Sequence, residues 1–246
     1  MTDLIHDSDP HHRRKKDVVV NLKSNLTEMT TLISHEIEIP ITEGSSIKGD
    51  LFIPDQYHSL VIFSHGSGSS RFSPRNRYVA EYLTKHHFAA LLMDLLTPPE
   101  DQEYANRFDI DLLTDRLVVT TNYISKQPEL ASCSIGYFGA STGAASALQA
   151  AARLGEKIGA VVSRGGRPDL AANALAQVKA PVLLIVGSLD KEVILLNKKA
   201  LTLLNHHKKL VIVEGASHLF EERGKLDEVA SLATDWFTQY LQRKEY

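Results

Sequence analysis

Residues 35–41, "HEIEIPI", carry isoleucine at every second position, the period of a strand with one face buried. "IKGDLFIP" follows across a glycine-containing turn and reads as its hairpin partner. The pattern then changes. "LVIFSH", "FAALLMD", "SIGYFG", "GAVVSR", "PVLLIVG" and "KLVIVEG" are short apolar runs without alternation, as expected of strands covered on both faces.

Between these runs the period becomes helical. Leu113, Leu117, Thr120 and Ile124 share one face of a helix expected over 109–126. Val193, Leu196, Ala200 and Leu203 share another over 193–204. The last segment puts Leu226, Val229, Ala233, Trp236, Phe237 and Tyr240 on one stripe. Buried strands alternating with amphipathic helices predict βαβ units: an α/β class with a mostly parallel central sheet, an N-terminal antiparallel hairpin at its edge, and helices on both faces. Residues 1–32 are polar and show no sustained period, which predicts a flexible extension ahead of one domain over 33–246.

Composition narrows the function. The chain has 246 residues, 43% hydrophobic and 23% charged, with a formal net charge of -3. That length suits one α/β domain, and the charge gives no reason to expect a nucleic-acid or anionic-membrane partner. In the extension Arg13, Arg14, Lys15, Lys16 and Lys23 are interspersed with Asp3, Asp7, Asp9, Asp17 and Glu28, which weakens a nucleic-acid arm further. No run suits a signal peptide or approaches the roughly 18 apolar residues of a membrane span, so a cytoplasmic protein is expected. Cys133 is the single cysteine, which excludes an internal disulfide and a cysteine metal cluster.

The candidate chemistry starts at "GYFGASTGAA". Here Gly139-Ala140-Ser141-Thr142-Gly143 is a G-x-S-x-G between a buried strand and the alanine-rich helix "TGAASALQAAARL". This context is what a nucleophile elbow needs: a turn so tight that small neighbours are required, presenting a serine at the carboxyl end of its strand. Serine alone is a poor nucleophile; it needs a base, and the base needs an orienting acid. Asp190 follows the strand "PVLLIVG" and His218 follows "KLVIVEG", each at the carboxyl edge where open α/β sheets place their sites. Ser141, Asp190 and His218 are therefore the candidate catalytic residues. Asp169 in "SRGGRPDL" is the rival acid, otherwise a helix N-cap, and Asp190 has a cap reading of its own. "HGSGSS" supplies a glycine-rich turn whose backbone N–H groups can aim at an oxyanion. The donors expected are Ser67 and Thr142, with Gly66 the rival of Ser67, and His65 a structural member of the turn. Arg71, Arg164 and Arg167 lie near the carboxyl edge as candidate substrate-binding residues, or as partners of local acids. Metal-ligand spacing is lacking, and a serine mechanism calls for no metal and no cofactor.

The same stretches carry a resemblance. "HGSGSSRFSPRNRYVA", "MDLLTPPE", "GYFGASTGAASAL", "VVSRGGRPDL", "PVLLIVGSLD" and "GASHLFEE" resemble the dienelactone hydrolase-like branch of the α/β-hydrolase superfamily. The match is nearest to the hydrolase domain often fused to a phosphoribosyltransferase. The resemblance implies the α/β-hydrolase fold, with Ser141 as nucleophile, His218 as base and Asp190 as its partner. The dienelactone hydrolases that name the family use cysteine where this chain has Ser141. Only "SRGGRPDLAANALAQVKA" separates Val162 from Pro181, so little or no lid is expected. The reading is a serine hydrolase acting on a small-molecule ester of small to medium size. An acyltransferase or perhydrolase with the same triad, or a binding protein on a hydrolase scaffold, stays open at this point.

Overall fold

The computed structural model describes residues 34–241; the extension expected over 1–32 lies outside the described residues. Eight strands form one sheet in the order β1-β2-β4-β3-β5-β6-β7-β8. They are β1 Ser34–Thr42, β2 Ser45–Phe52, β3 Ser59–Ser64, β4 Ala89–Met93, β5 Ser134–Ala140, β6 Ile158–Arg164, β7 Val182–Gly187 and β8 Lys208–Val213. β1 and β2 form the antiparallel hairpin, with Ile39 opposite Ile47, and β2 pairs antiparallel with β4. Every pairing from β4 through β8 is parallel.

The helices are α1 Pro74–Lys85, α2 Pro98–Asp101, α3 Ile110–Ile124, α4 Thr142–Leu154, α5 Ala172–Leu175, α6 Lys191–Leu203 and α7 Lys225–Tyr240. α3, α4 and α6 pack their apolar sides into the core on one face of the sheet, and α1 and α7 fill the core on the other. Burial from both sides explains why β3, β5 and β7 lack alternation: every residue in them is buried.

One helix is turned from the expected stripe. In α6 the buried residues are Val193, Asn197 and Ala200, while Leu203 is exposed. The polar Asn197 faces inward because its amide donates to the carbonyls of Gly166 and Val193, so burying it leaves no donor unmet. The segment between β6 and β7 holds only a 3-10 turn at Pro168–Ala171 and the four-residue α5, so little lid covers the carboxyl edge. Among the described residues no helix is long and apolar enough to cross a membrane.

Candidate active site

Ser141 stands between β5 and α4 with φ 51° and ψ -122°. A serine at that positive φ stores strain, on the order of 1–3 kcal/mol, that its surroundings must hold in place. They hold it through the main chain. Its N–H donates to the Arg164 carbonyl at 3.3 Å, and its carbonyl accepts from Arg167 N–H at 3.0 Å and Ala144 N–H at 3.1 Å. The two glycines of the motif are sterically required. A Cβ on Gly139 would lie 2.5 Å from Ala144 Cα, and one on Gly143 would lie 2.2 Å from the Ser64 carbonyl oxygen.

Asp190 and His218 come together from two loops. His218 Nδ1 donates to Asp190 Oδ2 at 2.6 Å. Asp190 occupies the N-cap position of α6, yet its side chain makes no capping bond and is committed to the imidazole instead. The rival acid is committed elsewhere: Asp169 takes both Nε and Nη2 of Arg167, at 2.9 and 2.8 Å, and caps no helix. Gly165, at φ 51°, runs beside the His218 ring, and a Cβ there would come within 3.4 Å of Nδ1. Among the described residues no hydrogen bond joins Ser141 Oγ to His218 Nε2. Such bonds are often long in ligand-free sites and tighten with substrate.

Residues the sequence did not mark buttress this arrangement. The Ser217 hydroxyl, and then the Ser217 N–H that donates to Glu222 Oε2 at 3.1 Å, hold the Glu222 carboxyl below the usual range. Arg75 ties α1 to Glu221, three residues past His218. Asn197 anchors Gly166 behind the elbow. The Arg75–Glu221 and Asn197–Gly166 contacts join segments far apart in sequence, whereas Glu222 acts within the His218 loop itself.

The turn after β3 lies against the serine. A Cβ on Gly66 would be 3.1 Å from Ser141 Cβ and 3.2 Å from the Ala140 carbonyl oxygen, so a side chain here would force its neighbours to give by a few tenths of an ångström. The N–H of Ser67 donates to Thr142 Oγ1 at 2.8 Å, which links both expected oxyanion donors, although the Ser67 proton is engaged by the threonine hydroxyl here. His65 is half-buried, and its bonds set its tautomer: Nδ1 donates to the Gly66 carbonyl and Nε2 accepts from Leu95 N–H. Burial holds its pKa below the ordinary value, so at neutral pH it is an uncharged strut of the turn.

Two of the candidate substrate-binding arginines are otherwise occupied. Arg71 is buried, with Nη1 on Asp50 at 2.8 Å, Nη2 on Glu36 at 2.8 Å and Nε 3.3 Å from Asp94, the pairing with local acids that is its alternative reading. Arg167 is likewise taken by Asp169. Arg164 has no carboxylate partner among the described residues. It is buried, its Nη2 reaches Asn76 of α1 at 3.4 Å, and burial, with the nearby Arg75 charge, pushes it down to about 10. It remains a cation at neutral pH, and its carbonyl receives the Ser141 N–H.

The model of the dienelactone hydrolase family matches residues 48–242. A dienelactone hydrolase structure from Anabaena variabilis superposes with a TM-score of 0.83 at 51% identity, covering 86% of this chain and 99% of that one. Est1E from Butyrivibrio proteoclasticus superposes with a TM-score of 0.71 at 16% identity, over 83% of this chain and 98% of that one, a likeness of fold alone. A Mycobacterium tuberculosis protein named as a phosphoribosyl transferase is 52% identical over 205 residues, 83% of this chain. The chain spans about half the length of the curated relatives it matches, 46% in that case.

Proposed function

The chain belongs to the dienelactone hydrolase family and is a hydrolase of the α/β fold, and from that premise we propose that it cleaves carboxylic esters of small to medium size through Ser141, His218 and Asp190. The observation that carries the reading is the 2.6 Å bond between His218 Nδ1 and Asp190 Oδ2 at the edge where Ser141 holds its strained turn. A carboxylate on Nδ1 fixes the tautomer that leaves Nε2 as the base.

In this mechanism His218 Nε2 takes the proton of Ser141 Oγ as that oxygen bonds to the ester carbonyl carbon. The carbonyl oxygen becomes an oxyanion and accepts from the N–H groups of Thr142 and Ser67, replacing Thr142 Oγ1 as the acceptor of the latter. Loss of one such donor costs about 3 kcal/mol of transition-state stabilisation. The tetrahedral intermediate collapses, the carbon–oxygen bond to the leaving group breaks, and His218 protonates the departing alkoxide. A water deprotonated by His218 then attacks the acyl-enzyme, releasing the acid and restoring Ser141. The N-terminus of α4 lies beside the oxyanion and adds its positive dipole end.

The test pairs a fluorophosphonate probe with turnover of p-nitrophenyl esters in wild type, Ser141→Ala, Asp190→Asn and Asp169→Asn. Label on Ser141 is expected, with turnover abolished in Ser141→Ala, reduced by about 10⁴ in Asp190→Asn and near wild type in Asp169→Asn. A folded wild type with neither label nor turnover would refute the serine mechanism. A damaging Asp169→Asn beside a harmless Asp190→Asn would move the acid.

A further inference from the structure

A cavity of about 260 Å³ opens beside the oxyanion turn, walled on one side by Gly66 through Ser70 and reaching down to Leu113 of α3. We infer that this cavity receives the acyl group of the substrate, and that the acyl group is compact and uncharged: a single ring on a short linker, or a short or branched aliphatic chain. The inference rests on the ester-hydrolase reading above and adds the substrate class.

Placement comes first. In the sheet order, β3 and β4 lie on one side of β5, and β6, β7 and β8 on the other. His218 and Asp190 follow β8 and β7; the cavity is walled by the turns that follow β3 and β4. A carbonyl carbon bonded to Ser141 Oγ has three remaining directions. Its oxygen goes to the N–H donors, and the leaving group must face His218, which protonates it. The acyl chain is left with the β3–β4 side, and Gly66, where an added Cβ would come within 3.1 Å of Ser141 Cβ, also lines the cavity.

The lining sets the chemistry. Phe72, Leu95, Leu96, Pro98 and Leu113 give apolar walls. Every charged side chain on the lining is already matched. Asp94 is held by the Arg71 side chain and N–H, and Asp101 receives Nε and Nη2 of Arg107 at 2.8 and 2.9 Å. His65 has both nitrogens engaged. An acyl group bearing a carboxylate would find no unmatched cation among the described lining residues, and would have to shed its water against apolar walls. Size follows from volume: a cavity of roughly 150 Å³ holds benzene, so 260 Å³ covers one ring with a few further carbons, and the rest of a longer chain would extend past the walls without gaining apolar contact.

The test measures kcat/KM for p-nitrophenyl acetate, butyrate, phenylacetate, decanoate and hemisuccinate, in wild type, Leu96→Trp and Leu96→Ala. Leu96 is only partly buried, so it can be enlarged or trimmed with little disturbance of the core. Butyrate and phenylacetate are expected to exceed decanoate and hemisuccinate by about ten-fold or more in wild type, the scale at which pockets discriminate apolar groups. Leu96→Trp should lower the phenylacetate-to-acetate ratio by about ten-fold, and Leu96→Ala should raise decanoate relative to butyrate. A wild-type preference for decanoate or hemisuccinate, or ratios unmoved in both variants while fluorophosphonate still labels Ser141, overturns the acyl cavity and leaves the serine mechanism standing. Absence of label on a folded wild type overturns both.

Discussion

Replacing Gly143 by alanine sets two effects of opposite sign against each other. In the first turn of α4, alanine is the better helix former by about 1 kcal/mol, so propensity alone predicts a more stable protein. Contact geometry opposes this. The new Cβ would lie 2.2 Å from the Ser64 carbonyl oxygen and 2.4 Å from that of His65, so the gap must open by about 0.8 Å to reach even 3.0 Å. Both atoms it meets are backbone at the end of β3, so no rotamer change relieves them. Forced overpacking of this kind costs about 1–3 kcal/mol or more, which exceeds the propensity gain. The same opening separates the Ser67 turn from Ser141, and misplacement by 1 Å in a catalytic site costs about 100-fold. Gly143→Ala should therefore lower the urea midpoint and, in the fraction that folds, reduce kcat/KM by one to two decades while leaving the Asp190–His218 pair in place. Urea unfolding by circular dichroism, with p-nitrophenyl butyrate turnover, checks both parts. A variant at least as stable as wild type with kcat/KM within about three-fold would show that the elbow and the oxyanion turn are not sterically interlocked as the backbone contacts require.

The cluster around Arg71 should behave as a buried ion network. Arg71→Gln leaves Asp50 buried beside Asp94 without their cation, a loss of about 3 kcal/mol, and Arg71→Lys should recover only part because one ammonium cannot serve three carboxylates; urea midpoints measure both, and equal stability of Arg71→Gln and wild type would contradict the assignment. His65 should contribute a pH dependence. Its pKa is lower in the folded protein, chiefly through burial, so the neutral form is favoured on folding; the stability is present above the unfolded value of 6.5 and lost as pH falls from there toward the folded value. The drop in melting temperature between pH 7.5 and 5 should shrink in His65→Gln, and an unchanged slope would remove His65 from the acid sensitivity.

What the sequence disclosed about this fold follows from how locally each feature is encoded. All eight strands were legible: β3 through β8 as short apolar runs, and β1 and β2 as an alternating segment and its partner across a glycine-containing turn. The elbow was legible because the strand, the glycines and the helix are contiguous. α1 went unread although Ser73 caps it and Pro74 opens it: two of its five buried residues are the polar Asn76 and Thr84, which blur the apolar period. The inward turn of α6 was hidden for the same reason, since Asn197 is buried to hold Gly166, a need set by the loop after β6 and invisible within α6 itself. The arginines show the limit most directly. Arg71 and Arg167 look alike as cations near a carboxyl edge, and only the folded chain reveals that Glu36, Asp50 and Asp94 converge on one and Asp169 on the other. The three partners of Arg71 come from segments tens of residues away, a pairing set by topology, whereas Arg167 pairs with Asp169 two residues on, a local choice that the loop geometry decides. That makes the charge balance of the cavity the informative quantity for substrate: once each cation and anion on its wall is matched, the remaining capacity for recognition is apolar contact and volume.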